Sequence, residues 1–90
     1  MKKITTEQLF SLMEEVRISL IDNNLRLGQQ ILNIFSEKHL IAESTRATNV
    51  DPFYQNKLII PFMKYVLDEK AYVVFINSNI GSALIKNYNT

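Results

Sequence analysis

The chain has 90 residues, which is room for one domain with a single hydrophobic core and excludes a multidomain protein. Hydrophobic residues make up 47% of the sequence, which excludes a disordered chain. Ten basic and nine acidic residues leave a net charge of +1, which argues against a nucleic-acid partner because neutralising phosphates needs a surplus of lysine and arginine. We therefore expect one domain spanning residues 1–90.

A first helix is predicted to begin at Thr5 or Thr6, either of which can cap its N-terminus. Gln8 stands three residues after Thr5, which is the spacing of a capping box. Apolar residues then recur at helical spacing and form one stripe: Leu9, Leu12, Met13, Val16 and Leu20. The turn-forming cluster at residues 22–24 is expected to end the helix.

A second helix is predicted from Asn24 to about His39. Its expected buried stripe consists of Leu27, Ile31, Ile34 and Phe35. Gly28 lies inside this helix, where glycine costs about 1 kcal/mol relative to alanine. Because a helix that accepts this cost often does so to admit close packing, we expect another backbone or a ligand against Gly28.

The middle of the chain is less regular. Residues 40–42 are predicted to form a short helical turn, and residues 45–55 to be largely loop. Pro52 restricts Asp51 to extended or turn geometry, so the Asp-Pro pair is expected to open a turn. A third helix is predicted to begin at Pro61, because the N–H that proline lacks would be unpaired at that position. Residues 68–70 mark its expected end.

The C-terminal part of the chain allows two interpretations. Residues 72–76 are rich in β-branched and aromatic residues, which favours a strand. A lone strand would have to pair with another chain, so we prefer a helix or an irregular packed segment. Residues 77–81 are predicted to form a turn, followed by a short apolar tail through Leu84 and Ile85. The fold class is therefore mainly α, a compact bundle of three to four helices with a short C-terminal strand as the alternative.

The sequence gives little support for catalysis or metal binding. The absence of cysteine excludes disulfides, thiolate zinc sites and thiol nucleophiles. His39 is the only histidine, and the dipole at the expected end of its helix favours a partly charged imidazole. The aspartates lack a metal-binding spacing, and neither a phosphate loop nor a nucleophile elbow occurs. We expect no enzyme, no cofactor, no catalytic residues and no metal.

We expect no signal peptide at the N-terminus. After Lys2 and Lys3 the chain runs into Thr5, Thr6 and Glu7, where a signal peptide would be continuously apolar. No apolar run approaches the roughly 20 residues that span a bilayer. We expect a cytoplasmic protein without a membrane partner.

Polar side chains on the second helix and in the loop after it form a candidate site. They are Arg26, Gln29 and Asn33, which share one side of the helix, and Arg46, Thr48 and Asp51 in the loop. In the structural interpretation, which we favour, Arg26 pairs with Asp51 or Asp22. The two amides then bind loop backbone that burial would leave unsatisfied.

The alternative interpretation makes the same region a binding site. Its arginines would receive a partner carboxylate, a small anionic metabolite or a nucleotide, with Tyr54 stacking on the ligand. The residues of this candidate partner-binding or ligand-binding site are Arg26, Gln29, Arg46, Asp51 and Tyr54.

Three stretches of the sequence carry a resemblance to known proteins. They are R-L-G-Q-Q-I-L-N at residues 26–33, A-T-N-V-D-P-F-Y at residues 47–54 and I-P-F-M-K-Y-V at residues 60–66. The pattern resembles a group of short bacterial and phage proteins with an Arg-x-Gly-Gln helix followed by a Thr-x-x-Asp-Pro-Phe-Tyr turn. That group has no established activity, so the resemblance implies no chemistry. It implies that these residues form one spatial unit: Arg26, Gly28, Gln29, Asn33, Thr48, Asp51, Pro52, Phe53 and Tyr54.

The functional expectation follows from surplus apolar sequence combined with missing catalytic chemistry. We expect a small protein-interaction or regulatory protein that binds another protein or itself as a homodimer, as a phage accessory or host-takeover factor would. The candidate interface is Tyr72, Val74 and Ile76.

Overall fold

The structure, a computed structural model, describes residues 1–22 and 24–88, with no side-chain description of Asp22. In these residues the chain forms six α-helices and one short 3-10 turn. The helices are α1 (Thr6–Asp22), α2 (Leu27–Lys38), α3 (Leu40–Glu43), α4 (Ile59–Val66), α5 (Glu69–Ile76) and α6 (Asn79–Tyr88), and the 3-10 turn is Asn56–Leu58. They enclose one core in a body of 29 × 26 × 25 Å.

The core is built from one face of each longer helix. Its largest fully buried side chains include Phe35 of α2, Phe62 of α4 and Phe75 of α5. Phe35 and Phe62 meet edge to face with their ring centroids 5.7 Å apart, a favoured geometry for aromatic pairs. The three aromatic rings thus bring the early, middle and late helices into a single hydrophobic cluster.

Helix α1 begins as its sequence predicts. The Thr5 N–H donates to Gln8 Oε1 at 3.0 Å and the Gln8 N–H donates to Thr5 Oγ1 at 3.3 Å, which confirms the capping box. Leu9, Leu12 and Val16 are buried and Met13 is half-buried, but Leu20 is exposed. The predicted stripe therefore reaches the core over only part of its length.

Breaks of one or two residues separate α2 from α3 and α4 from α5, whereas residues 44–58 lie between α3 and α4. His39 is extended between α2 and α3, and Leu67 is extended between α4 and α5. The backbone around Leu67 pairs with Ile4, whose N–H donates to Val66 O at 2.8 Å and whose carbonyl accepts from Asp68 N–H at 2.9 Å. This single bridge ties the N-terminus to the middle of the fold, and it is the only β-pairing in the described part of the chain.

The prediction of three to four helices understates the number, because residues 40–43, 69–76 and 79–88 each form a separate helix. Two predicted helix boundaries also differ from the structure. Pro61 is the third residue of α4, which starts at Ile59 directly after the 3-10 turn. Asp68 starts a helix: its carboxylate accepts from the Ala71 N–H at 2.8 Å and caps α5.

The predicted alternative of a C-terminal strand is wrong. Residues 72–76 lie within α5, because the Asp68 cap begins a helix and burial of Ala71 and Phe75, four residues apart, stabilises it. Residues 79–88 are also helical instead of a turn and a tail, since Ser78 Oγ accepts from the Gly81 N–H at 3.1 Å in N-cap geometry. No helix in the two described ranges is both long and apolar enough to cross a membrane.

Candidate functional site

Gly28 lies where the loop backbone crosses the first turn of α2. A Cβ atom built on Gly28 would overlap the Pro52 carbonyl oxygen and lie 3.1 Å from Asn56 Oδ1. The Gly28 N–H donates to the same Asn56 oxygen at 2.9 Å, so a side chain from the 3-10 turn satisfies one of the open donors of α2. The predicted close approach of another backbone to Gly28 is confirmed.

Asp51 organises the loop from inside. Its Oδ2 accepts from the Ala47 N–H at 2.7 Å and its Oδ1 accepts from the Phe53 N–H at 2.8 Å. Ala47 has a φ of 62°, a left-handed conformation that costs a non-glycine residue about 1 kcal/mol. The carboxylate therefore fixes the backbone on both sides of itself, as aspartate commonly does in turns.

Arg26 does not pair with Asp51, so that part of the structural interpretation is wrong. The guanidinium donates from Nη2 to the Phe53 carbonyl oxygen at 2.9 Å, while the Asp51 carboxylate is engaged by two backbone N–H groups. The predicted alternative, a pair between Arg26 and Asp22, lies outside the described side chains. Arg26 and Asp51 thus hold opposite sides of one residue's backbone.

The remaining residues of this candidate site contact other groups. Arg46 forms an ion pair with Glu43 at 2.9 Å and a long hydrogen bond of 3.4 Å to Asn33 Oδ1. Gln29 is half-buried. Tyr54 is 76% exposed and packs edge to face on Phe53 with centroids 4.9 Å apart. The described contacts of the predicted site residues therefore stabilise the loop and do not converge on one point.

Gln30 is a buried polar residue that the sequence reasoning missed. Its side chain is 2% exposed, accepts a hydrogen bond from Ser19 Oγ of α1 and donates from Nε2 to the Leu25 carbonyl oxygen at 2.8 Å. The signal was available, because Gln30 falls three residues after Leu27 and four before Ile34, inside the apolar stripe of α2. Gln30 links α1, the connection after it and α2.

A second apolar face on α1 was also missed. We define the α1 outer face as Phe10, Met13, Glu14, Arg17, Ile18 and Ile21, which recur at spacings of three and four residues. Phe10, Ile18 and Ile21 are 61%, 50% and 73% exposed. Glu14 and Arg17 form an exposed ion pair of 2.6 Å, and the hydrogen bond from Arg17 holds the pKa of Glu14 below its usual value.

A groove of about 400 Å³ adjoins this face. Phe10, Met13 and the ion pair line it on α1, and Val74, Phe75 and Ile80 line it across the turn between α5 and α6. Of the predicted interface residues, only Val74 reaches the groove. Tyr72 and Ile76 are half-buried and pack against the core, because a helix does not present alternate residues on one side as a strand does.

His39 departs from its expected ionisation. Burial lowers its pKa below the usual value, and the neighbouring Lys38 lowers the pKa further. The favourable effect of the helix dipole on a charged imidazole is therefore outweighed at this position.

Neither a metal-binding cluster nor a similar known protein identifies the function of this site. No group of three or more histidine, cysteine, aspartate or glutamate residues within the described ranges could hold a metal ion. Comparison with protein-family models, curated proteins and solved structures gives no match. The resemblance to short bacterial and phage proteins accordingly stays a prediction.

Proposed function

We propose that this protein acts by binding a protein partner through the α1 outer face and the adjoining groove. One observation carries the proposal: α1 is apolar on two faces, and the core uses one of them. Three large apolar side chains on the other face remain at least half exposed: Phe10, Ile18 and Ile21. Isolated apolar residues are normal on protein surfaces, but aligned ones beside an apolar groove are characteristic of interaction sites.

The groove supplies the shape that such a contact needs. Its walls are the apolar side chains of α1 and of the α5–α6 turn, and the Glu14–Arg17 pair lines it beside them. Interfaces commonly combine buried apolar contacts with direct hydrogen bonds between polar groups. A partner side chain entering the groove would be desolvated against Met13 and Ile80, and the charged pair would fix its orientation.

The conspicuous polar residues have a different role in this proposal. Arg26, Asp51 and Asn56 satisfy backbone groups and hold the loop against α2, so they support the fold instead of presenting a ligand site. A cytoplasmic phage accessory or regulatory factor that works without catalysis would have this combination of a rigid loop and an apolar docking face.

Site-specific photo-crosslinking tests the proposal directly. We would place a photoreactive phenylalanine analogue at Phe10 and, as a matched control, at Leu40, which is 78% exposed but outside the α1 outer face. We expect a discrete cross-linked product in expressing cells from position 10 and none from position 40. An Ile21→Glu change should abolish that product without lowering the melting temperature. Equal labelling at both positions, or no product at position 10, would refute the proposal.

A further inference from the structure

The α1 outer face has the same pattern when it is read from either end. About a point midway between residues 15 and 16, Phe10 corresponds to Ile21 and Met13 corresponds to Ile18. The two charged residues, Glu14 and Arg17, also exchange places, and their charges are opposite. A surface with this property is complementary to a copy of itself turned through half a revolution, which is the requirement for a two-fold symmetric dimer.

The spacing of these residues also suits contact between two helices. Residues 10, 14, 17 and 21 follow one another at intervals of four, three and four, which is the spacing of a seam between paired helices. The two ends of this seam are apolar and its centre carries the charged pair. Met13 and Ile18 flank that seam. All the members lie within α1, whose 17 residues extend about 25 Å.

We propose that the protein bound at this face is a second copy of the chain, with the two α1 helices packed antiparallel about a two-fold axis near residues 15 and 16. This inference rests on the proposed function and names its partner. In that arrangement Glu14 of each copy meets Arg17 of the other, and Phe10 of each meets Ile21 of the other.

The charges select this arrangement over its main competitor. In a parallel pair with the same seam, Glu14 would face Glu14 and Arg17 would face Arg17, and like charges in contact are unfavourable. In the antiparallel pair the two intrachain ion pairs of 2.6 Å, one in each copy, are replaced by two ion pairs between the copies, so no charge is left without a partner. Charge complementarity therefore sets both the direction and the register of the dimer.

The groove extends the contact beyond the two helices. Phe10 and Met13 form its α1 wall, and the antiparallel register brings Ile18 and Ile21 of the second copy to that end of the helix. Symmetry repeats this at the other groove. Apolar side chains that are exposed in one chain are thus buried in the pair, which provides the hydrophobic contribution to association.

Charge-swap variants give the first test, read by sedimentation equilibrium or light scattering against a monomer mass of 10.5 kDa. We expect the wild type to reach twice that mass as its concentration rises. Glu14→Arg and Arg17→Glu should each weaken the dimer at least about tenfold, because each places two like-charge contacts in the seam. The double variant should regain the wild-type dissociation constant. In a parallel pair each residue faces its own copy, so the single swaps would leave the number of like-charge contacts unchanged and would not weaken the dimer.

Cysteine cross-linking gives the second test, since the natural chain has no thiol to compete. A mixture of F10C and I21C proteins should form a disulfide-linked heterodimer under mild oxidation. Neither variant alone should do so, because the two copies of one position lie about 16 Å apart along the helix axis.

The outcomes separate this inference from the proposed function. A wild-type chain that stays monomeric up to about 1 mM overturns the inference, and so does a dimer that is indifferent to both charge swaps. If the chain is monomeric but position 10 still cross-links to a protein of different mass, the proposed function stands and the second copy is refuted. Leu40→Lys serves as the matched control, and its dimerisation should equal that of the wild type.

Discussion

Replacing Gly28 by alanine tests how tightly the loop is held against α2. In an open helix this change would stabilise the protein by up to about 1 kcal/mol, since alanine is the better helix former. Here the new Cβ would overlap the Pro52 carbonyl oxygen and lie 3.2 Å from its carbonyl carbon. Carbon and oxygen normally approach to about 3.3 Å, so the loop would have to retreat by up to about 1 Å.

That retreat acts on two hydrogen bonds at once. The bond from the Gly28 N–H to Asn56 Oδ1 and the bond from Arg26 to the Phe53 carbonyl oxygen both join α2 to the displaced segment. Each contributes about 1 kcal/mol, and overpacking of this kind costs about 1–3 kcal/mol. After subtracting the helix-propensity gain we expect a net loss of about 2–4 kcal/mol, which lowers the melting temperature by about 8–30 °C.

Urea and thermal unfolding followed by circular dichroism measure this loss. Glu37→Ala, an exposed change on the same helix, is the control and should alter stability by less than about 0.5 kcal/mol. The double variant with Asn56→Ala should lose less than the sum of the single changes, because both act on the same contact. A Gly28→Ala protein more stable than the wild type would show that the loop does not press on α2 and would refute the reasoning.

Four further predictions follow from single contacts. Asn56→Ala should lower the free energy of unfolding by about 1 kcal/mol while Asn56→Asp, which keeps the acceptor at the start of α2, should not, as measured by urea titration. Asp68→Ala should cost a similar amount and Asp68→Asn much less, because the side-chain oxygen caps α5. Ala47→Gly should raise the melting temperature, since glycine adopts a φ of 62° without the strain that alanine bears. The pKa of His39 is lower in the folded protein than its usual value, so the unfolded chain binds the proton more tightly. Stability should therefore fall as the pH drops from about 7 to about 5. His39→Gln should reduce that fall, as shown by melting temperatures measured at the two pH values.

Local signals made the first half of the fold predictable. The capping box at Thr5 needs only two side chains three residues apart, and the structure has both of its hydrogen bonds. Gly28 was informative for a similar reason: a glycine that weakens a helix indicates close packing, and the Pro52 carbonyl provides it. The capping box depends only on residues three apart in the sequence. The packing at Gly28 follows from one steric requirement, the absence of a side chain.

The second half was less predictable because tertiary contacts decide it. Propensity differences between strand and helix amount to less than about 1 kcal/mol per residue, and burial of Ala71 and Phe75 on one helical face outweighs them in α5. Gly81 was assigned to a turn, yet it lies in the first turn of α6, where an added Cβ would come 2.9 Å from Ile76 Cα. Only the assembled α5–α6 corner reveals that approach.

The sequence analysis missed Gln30 and the α1 outer face for the same reason, namely the assumption that each helix has one purely apolar stripe. Assigning one apolar stripe to each helix placed Gln30 outside the α2 stripe and left Phe10 and Ile21 unassigned on α1. Burial then shows that Gln30 belongs inside and that Phe10 and Ile21 do not.

The Asp-Pro loop and the α1 outer face differ in what their side chains contact, and this difference favours the α1 outer face as the binding surface. The Asp-Pro loop is rich in charged and aromatic residues, but the hydrogen bonds of Arg26 and Asp51 are made with the loop's own backbone. On α1, by contrast, Phe10 and Ile21 lose hydrophobic free energy by remaining in water, at about 25 cal/mol for each Å² of apolar surface. Ile21 is 73% exposed, so replacing it with a polar residue should leave the stability of the monomer unchanged. If the same change also left association unchanged, the α1 outer face would not be a binding surface.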